Sequence, residues 1–249
     1  DLGGGGLIVN GREREALTLT SIEEFQVQPL FDYDARLAAY VDIANIPHTA
    51  SAVGERNRQV RQAAIRQSEI VRERTAGYEP GVEYPADNYL GETLLQTAKL
   101  IAADIGVRGI AVGTGGYDTH AGQRDGDYHE FLLQTVGDAV AAFYADLVAH
   151  GIADRVLLLV FSEFGRRPEE NGDAGTDHGY GSVMFAVGDS VRGGVYGEHP
   201  SLDESRLVLD GNVDVTVDFR SVYATVLGRF LGADPAPVLG GEFDMLGFL

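Results

Sequence analysis

No cysteine and no tryptophan occur among the 249 residues. Without cysteine there can be no disulfide frame, Cys-type zinc finger, iron–sulfur cluster or thiol nucleophile, so any metal must sit on His, Asp, Glu or Asn. Basic residues are scarce as well. The 19 Lys and Arg stand against 38 Asp and Glu, a formal charge of −19. That balance argues against DNA or RNA as a partner, because binding nucleic acid depends on Lys and Arg displacing phosphate counterions. Long apolar runs are missing too: residues 156–161 fall far short of the roughly 20 residues needed to cross a bilayer. The N-terminus shows no charged-then-apolar pattern, so neither a membrane span nor a signal peptide is expected. The length suits one large domain or two small ones with a core of ordinary size.

What is present divides into two stretches of different character. Residues 32–78 are rich in Arg, Gln, Glu and Ala, and residues 49–75 contain no proline and a single glycine. This predicts a long solvated helix whose thin stripe of Val53, Val60, Ala64 and Val71 lies over the surface. The glycines and prolines of residues 77–85 break it. Beyond that loop, helices and short apolar strands alternate. Leu90, Leu94, Leu95, Ala98, Ile101, Ala102 and Ile105 recur at helical spacing, with Asp87 or Asn88 as cap and Gly106 as stop. Residues 107–112 follow as a strand. Tyr128, Phe131, Leu132, Val136, Ala139, Val140, Phe143 and Leu147 outline a helix ended by His150-Gly151. Residues 156–161 read as a strand buried on both faces, and residues 183–187 as a third strand. Phe219, Val222, Tyr223, Val226, Leu227, Phe230 and Leu231 give a last helix between Asp218 and Gly232. Such alternation implies βαβ crossovers. The expected fold class is therefore α/β, with a mostly parallel central sheet covered by helices on both faces, in one domain over residues 1–249 whose core is 89–249.

In open α/β sheets the ligand lies beyond the carboxyl ends of the strands, so the loops after the apolar runs are where chemistry would sit. They are polar. Residues 113–120 contain Tyr117-Asp118-Thr119-His120, and residues 162–167 contain Glu163-Phe164-Gly165-Arg166-Arg167. The chain then passes Glu169-Glu170-Asn171-Gly172 to Gly175-Thr176-Asp177-His178-Gly179. Separate loops that deliver Asp118, His120, Glu163, Asp177 and His178 toward one edge are what a divalent cation would need. Imidazole with carboxylate suits zinc, manganese or iron. The plainer reading is an Asx turn from Asp118 toward His120, since Asp is common in loops for turn reasons alone. Arg166 could clamp an anionic oxygen, although pairing with Glu163, Glu169 or Glu170 is its simpler use.

Other motifs fit less well. Residues 113–116 lack the third glycine of a dinucleotide fingerprint and the Gly-Lys-Ser/Thr of a phosphate loop. Ser162 follows a buried strand as an esterase nucleophile would, but Val160 stands where the elbow wants glycine. A triad through Asp177 and His178 is disfavoured, because adjacent side chains rarely align as a triad requires.

Five ordered motifs carry a family resemblance. They are Gly115-Gly116-Tyr117-Asp118-Thr119-His120-Ala121-Gly122-Gln123, then Ser162-Glu163-Phe164-Gly165-Arg166-Arg167 with Glu170-Asn171-Gly172, then Gly175-Thr176-Asp177-His178-Gly179, then Gly193-Gly194-Val195-Tyr196-Gly197, and Asp218-Phe219-Arg220-Ser221-Val222-Tyr223. From about Tyr89 to Leu249 the chain resembles a bacterial family of uncharacterised sulfatase-like proteins, domain of unknown function family 1501; the residues before Tyr89 match loosely. The resemblance implies an alkaline phosphatase-like fold holding one or two divalent metals, and export to the periplasm or beyond. Asp118 and His120 would be its Asp-and-His ligand loop, and His178 its late His ligand. Glu163 falls where that superfamily usually has an Asp followed by His. Phe164 replaces that His, and since a phenyl ring cannot ligate a metal, at least one ordinary site is altered. The superfamily also carries a metal-binding Asp and its nucleophile on a first strand. Residues 1–45 do not resemble that segment, so the domain is expected to lack it; Thr18, Thr20 and Ser21 are the hydroxyls in that region.

Three functions follow as expectations. The first is a metal-dependent hydrolase-like protein acting on a small anionic substrate, a phosphate or sulfate ester, with Asp118, His120, Glu163, Asp177 and His178 as ligands and Arg166 steadying the anionic oxygens. The alternative is a catalytically inactive exported binding or structural protein, in which Asp118 and His120 are tied to backbone or Arg and leave no open coordination position. The third is a serine esterase using Ser162.

Overall fold

The computed structural model describes Ile22, residues 33–47 and residues 51–249. Thr18, Thr20 and Ser21 lie outside the described residues. The helices are α1 (Tyr33–Asn45), α2 (Ala52–Thr75), α3 (Tyr89–Ala102), α4 (Tyr128–Ala149), α5 (Phe219–Thr225) and α6 (Ala236–Leu239). Four short strands lie between α4 and α5: β1 (Leu158–Val160), β2 (Gly165–Glu170), β3 (Thr176–Gly179) and β4 (Phe185–Val187). The chain divides into two compact units, Asp1–Thr114 with Val136–Asp146, and Gly115–Thr135 with Leu147–Leu249.

In the first unit, α2 starts at Ser51, whose hydroxyl accepts from the Gly54 N–H at 3.0 Å. Its stripe is as thin as the sequence suggests: Val53 and Val60 are exposed, and only Ser68, Val71 and Thr75 near its end are buried. Val71 joins Ile22 and Leu100 in a buried cluster against which Ile105, Ile110 and Val112 pack. The cap of α3 is Asn88 rather than Asp87; its side chain accepts from the Gly91 N–H at 2.9 Å. The helix closes at Ala102, where the Ala103 N–H returns to the Lys99 carbonyl at 3.0 Å, earlier than Gly106.

The loop that separates α2 from α3 is fastened to α4 by one carboxylate. Asp146 is 0% exposed and accepts from the Tyr78 hydroxyl at 2.7 Å, the Gly81 N–H at 2.7 Å and the Tyr84 hydroxyl at 2.9 Å. A buried carboxylate is tolerated only when its lone pairs are satisfied in this way. Burial, followed by the bonds to Asp146, pushes both tyrosine hydroxyls well above the usual phenol range. By length and composition residues 125–149 could cross a bilayer; within them Ala139, Phe143, Asp146 and Leu147 are buried, while Gly137, Asp138, Ala141 and Ala145 are exposed.

The second unit holds two separate antiparallel ribbons. Strand β1 pairs with β4 through Leu158↔Val187, Leu159↔Ala186 and Val160↔Phe185. Strand β2 pairs with β3 through Gly165↔Gly179, Arg166↔His178 and Glu170↔Thr176, with an irregularity between Arg166 and Glu170. Pro168, which has no N–H to donate, falls at that irregularity. Asp218 caps α5 by accepting from the Arg220 N–H at 2.9 Å. A π-helical turn, Val226–Phe230, continues it toward Gly232.

This architecture corrects the expected fold class. Among the described residues there is no large parallel sheet, and hence no alkaline phosphatase-like core of a mostly parallel sheet with helices on both faces. Residues 107–112 form no strand; Ile110 and Val112 turn to the helical cluster instead. The run at 156–161 yields a three-residue strand that is half-buried and antiparallel to its partner. An unbroken apolar run reports burial, which a helical layer satisfies as well as a neighbouring parallel strand does.

Candidate metal centre

Backbone pairing brings the two polar loops of the second unit together. Residues 119–123 lie along residues 173–176: the Gly122 N–H bonds to the Asp173 carbonyl at 2.9 Å, the Gln123 N–H to the Ala174 carbonyl at 2.9 Å, and the Thr176 N–H to the Thr119 carbonyl at 3.3 Å. At Gly175 the two backbones touch. A Cβ there would lie 2.2 Å from the carbonyl carbon of His120, so only glycine permits this approach. The other wall is the β2–β3 ribbon, whose register sets Arg166 opposite His178.

Three side chains meet at the junction. Single ligand atoms from Asp118, His120 and His178 all lie within 4.8 Å of one another, on side chains about half-exposed. Asp118 Oδ1 accepts from Arg166 Nη1 at 2.7 Å and is bonded to His178 Nε2 at 2.7 Å. His120 Nε2 is 2.9 Å from the same oxygen, but the ring makes its hydrogen bond through Nδ1, to Asp177 Oδ1 at 3.3 Å. Among the described residues Asp118 Oδ2 takes no hydrogen bond. The imidazoles sit with centroids 4.8 Å apart, and His178 stacks on Phe164 at 4.1 Å and 13°. The hydrogen bonds from His178 and Arg166 hold the Asp118 carboxyl below the usual carboxylate range, and those from Asn171 and His120 do the same for Asp177.

Of the residues singled out as ligands, the structure brings Asp118, His120 and His178 into one group. Asp177 stands behind His120 rather than in that group. Glu163 lies outside it, with its carboxylate 3.4 Å from the Ser162 hydroxyl. Arg166 is largely buried and well held: besides Asp118, it donates from Nε to Thr176 Oγ1 at 2.9 Å and from Nη2 to the Thr176 carbonyl at 2.5 Å. Those bonds use three of its five N–H groups. No imidazole is bonded to Ser162 among the described residues, so the esterase arrangement lacks its base.

Sequence reasoning assigned no role to Asn171, Gln123 or Thr176. Thr176 Oγ1 donates to Gln123 Oε1 at 2.8 Å while accepting from Arg166, which seats the guanidinium. Asn171 donates from Nδ2 to Asp177 Oδ1 at 3.1 Å and to the His120 carbonyl at 2.9 Å. All three lie inside the quoted motifs, and that placement was their one signal.

Two imidazoles and one carboxylate with open space beside them form a donor set that accepts zinc and other divalent first-row metals. The free lone pairs of Asp118 Oδ2 fit that use. Residues 30–240 match the family described as protein of unknown function (DUF1501), well over half of the chain, and the chain belongs to that family. The match reaches back through α1 and α2, ahead of the motifs themselves. No curated protein and no solved structure matches the chain.

Proposed function

We propose that Asp118, His120 and His178 hold one divalent cation and that the protein hydrolyses a small phosphate or sulfate ester there. The observation that carries this reading is the convergence of those three side chains from separated loops, with an unbonded carboxylate oxygen left among them. A bound divalent cation supplies Lewis acidity toward an anionic oxygen. The chain's own groups supply the rest. Arg166, fixed by Thr176 and Asp118, keeps two N–H groups for an ester oxygen. Arg167 bonds through Nε to the His178 carbonyl at 3.3 Å and places a second positive charge beside the site. In a chain of charge −19, two guanidiniums and a divalent cation against Asp118 and Asp177 make this the spot where an anion is welcome. The ester class comes from the motif resemblance, as does action outside the cytoplasm.

A second reading has one observation in its favour. Arg166 already neutralises Asp118 at 2.7 Å, as it would in a catalytically inactive exported binding protein that retains the loops for structure. Metal content separates the two. Protein purified without chelator and dialysed against zinc or manganese is expected to retain about one ion per chain, and His178→Ala to retain none while unfolding at the same denaturant concentration. Release of p-nitrophenol from its phosphate or sulfate ester should depend on the cation. Failure of the wild type to take up metal overturns the hydrolase and leaves the binding protein.

A further inference from the structure

We infer that Asp177 is a positioning residue that keeps the His120 proton on Nδ1, and that Asn171 holds Asp177 in place; this rests on reading Asp118, His120 and His178 as the donor set. Neutral imidazole carries one proton on one of two nitrogens, and only the other can offer a lone pair to a cation. His120 has a carboxylate on each side. Asp118 Oδ1 already accepts from Arg166 and from His178, which fills the two lone pairs of that oxygen, and His120 makes no hydrogen bond to it. The hydrogen bond of His120 runs from Nδ1 to Asp177 Oδ1 at 3.3 Å. The proton therefore belongs on Nδ1, and Nε2, 2.9 Å from Asp118 Oδ1, is the nitrogen on the side of the other two donors.

Asn171 makes this arrangement stiff. Its Nδ2 donates to Asp177 Oδ1 and to the His120 carbonyl, and its Oδ1 accepts from the N–H groups of Asp173 and Gly175, both at 3.0 Å. Those four bonds exhaust what an amide side chain can make. Reversing the amide would set donors against donors, so its orientation is fixed although the side chain lies near the surface. One side chain thus grips the backbone of His120 and the carboxylate behind its ring. Among the described residues no carboxylate backs the His178 ring from behind in this way. Its ring is held from the side by Phe164, at 4.1 Å and nearly parallel. The two imidazoles of the donor set are consequently oriented by different means: a carboxylate relay for one, an aromatic wall for the other. Asp177, a candidate ligand on sequence grounds, serves behind the ligands, in the manner of the carboxylates that orient metal-bound histidines elsewhere.

The test uses the full chain. Long-range ¹⁵N–¹H spectra of the metal-free protein at neutral pH should show the Nδ1–H tautomer for His120, moving toward Nε2–H in Asp177→Ala; an unchanged tautomer overturns the inference. Zinc competition titrations should show Asp177→Asn and Asn171→Ala weakening binding by about 10–100-fold, with Asp177→Glu recovering part of the loss. Wild-type affinity in Asp177→Asn overturns it as well. Cobalt substituted for zinc should give the same visible spectrum in wild type and Asp177→Asn, because the ligands do not change; an altered spectrum makes Asp177 a ligand and ends the positioning role. Should the wild type bind neither metal, the donor-set reading fails, and the tautomer measurement still decides whether Asp177 controls the ring.

Discussion

Two aspartates, one in each unit, show how surroundings decide what a carboxylate does. Asp146 accepts from the Tyr78 and Tyr84 hydroxyls and the Gly81 N–H and is sealed from water. Asp118 is bonded to a guanidinium and an imidazole through one oxygen, keeps the other free among the described residues, and stands half in solvent. With both carboxylate oxygens engaged and no access to water, Asp146 holds a loop to a helix. With a spare oxygen and two neighbouring imidazoles, Asp118 can meet something that arrives from outside. Burial and hydrogen bonding, rather than residue type, separate the structural group from the one left open to a ligand.

The sharpest way to break this contrast is to truncate each in turn. Asp146→Ala should cost about 3 kcal/mol in urea denaturation, because two hydroxyls and an amide lose their acceptor inside the protein; a loss below about 1 kcal/mol would mean that the loop is held by something else. Asp118→Ala should leave the urea midpoint close to wild type while removing zinc uptake. Tyr84→Phe, which removes one donor to Asp146, should cost about 1 kcal/mol in the same assay.

Alkali gives a further separation. The hydroxyls of Tyr78 and Tyr84 are raised in the fold above the ordinary value near 10. Above that pH the unfolded chain releases these protons while the native state keeps them, so their contribution, complete below about pH 10, is lost as the pH climbs toward the raised values. Melting temperature should fall between about pH 10 and 12, and less steeply in a Tyr78→Phe, Tyr84→Phe double variant. The smallest effect lies at the acid end. The Asp118 carboxyl is lowered, so its contribution is present above the ordinary carboxylate value and disappears as the pH drops through the lowered one. Solvent screening keeps it slight, and Asp118→Asn should barely alter the acid unfolding curve.

Local signals in the sequence proved readable, and long-range ones did not. Helix α4, the cap Asp218 and a cap at Asp87 or Asn88, of which Asn88 is the one used, follow from apolar spacing and a single polar side chain, information contained within a turn or two. The strands fared differently. Residues 156–161 and 183–187 do contain β1 and β4, but the direction of pairing depends on where the chain returns, and no residue in the run encodes that. Strand β2, Gly-Arg-Arg-Pro-Glu-Glu, has no apolar alternation because neither face enters a core, so it reads as loop. At the site, the sequence supplied the loops and residue types. Which three of the five candidate ligands meet was decided by the β2–β3 register and by the backbone seam at residues 119–123, both of which lie beyond local pattern.

The contact at Gly175 carries a geometric consequence. The gap between the His120 segment and the neighbouring ribbon is narrow because one residue there contributes no side-chain carbon at all. A single methyl group would act as a wedge, levering the carbonyl of His120 outward and carrying its ring away from His178. The spacing of the two rings is gauged by a hydrogen atom.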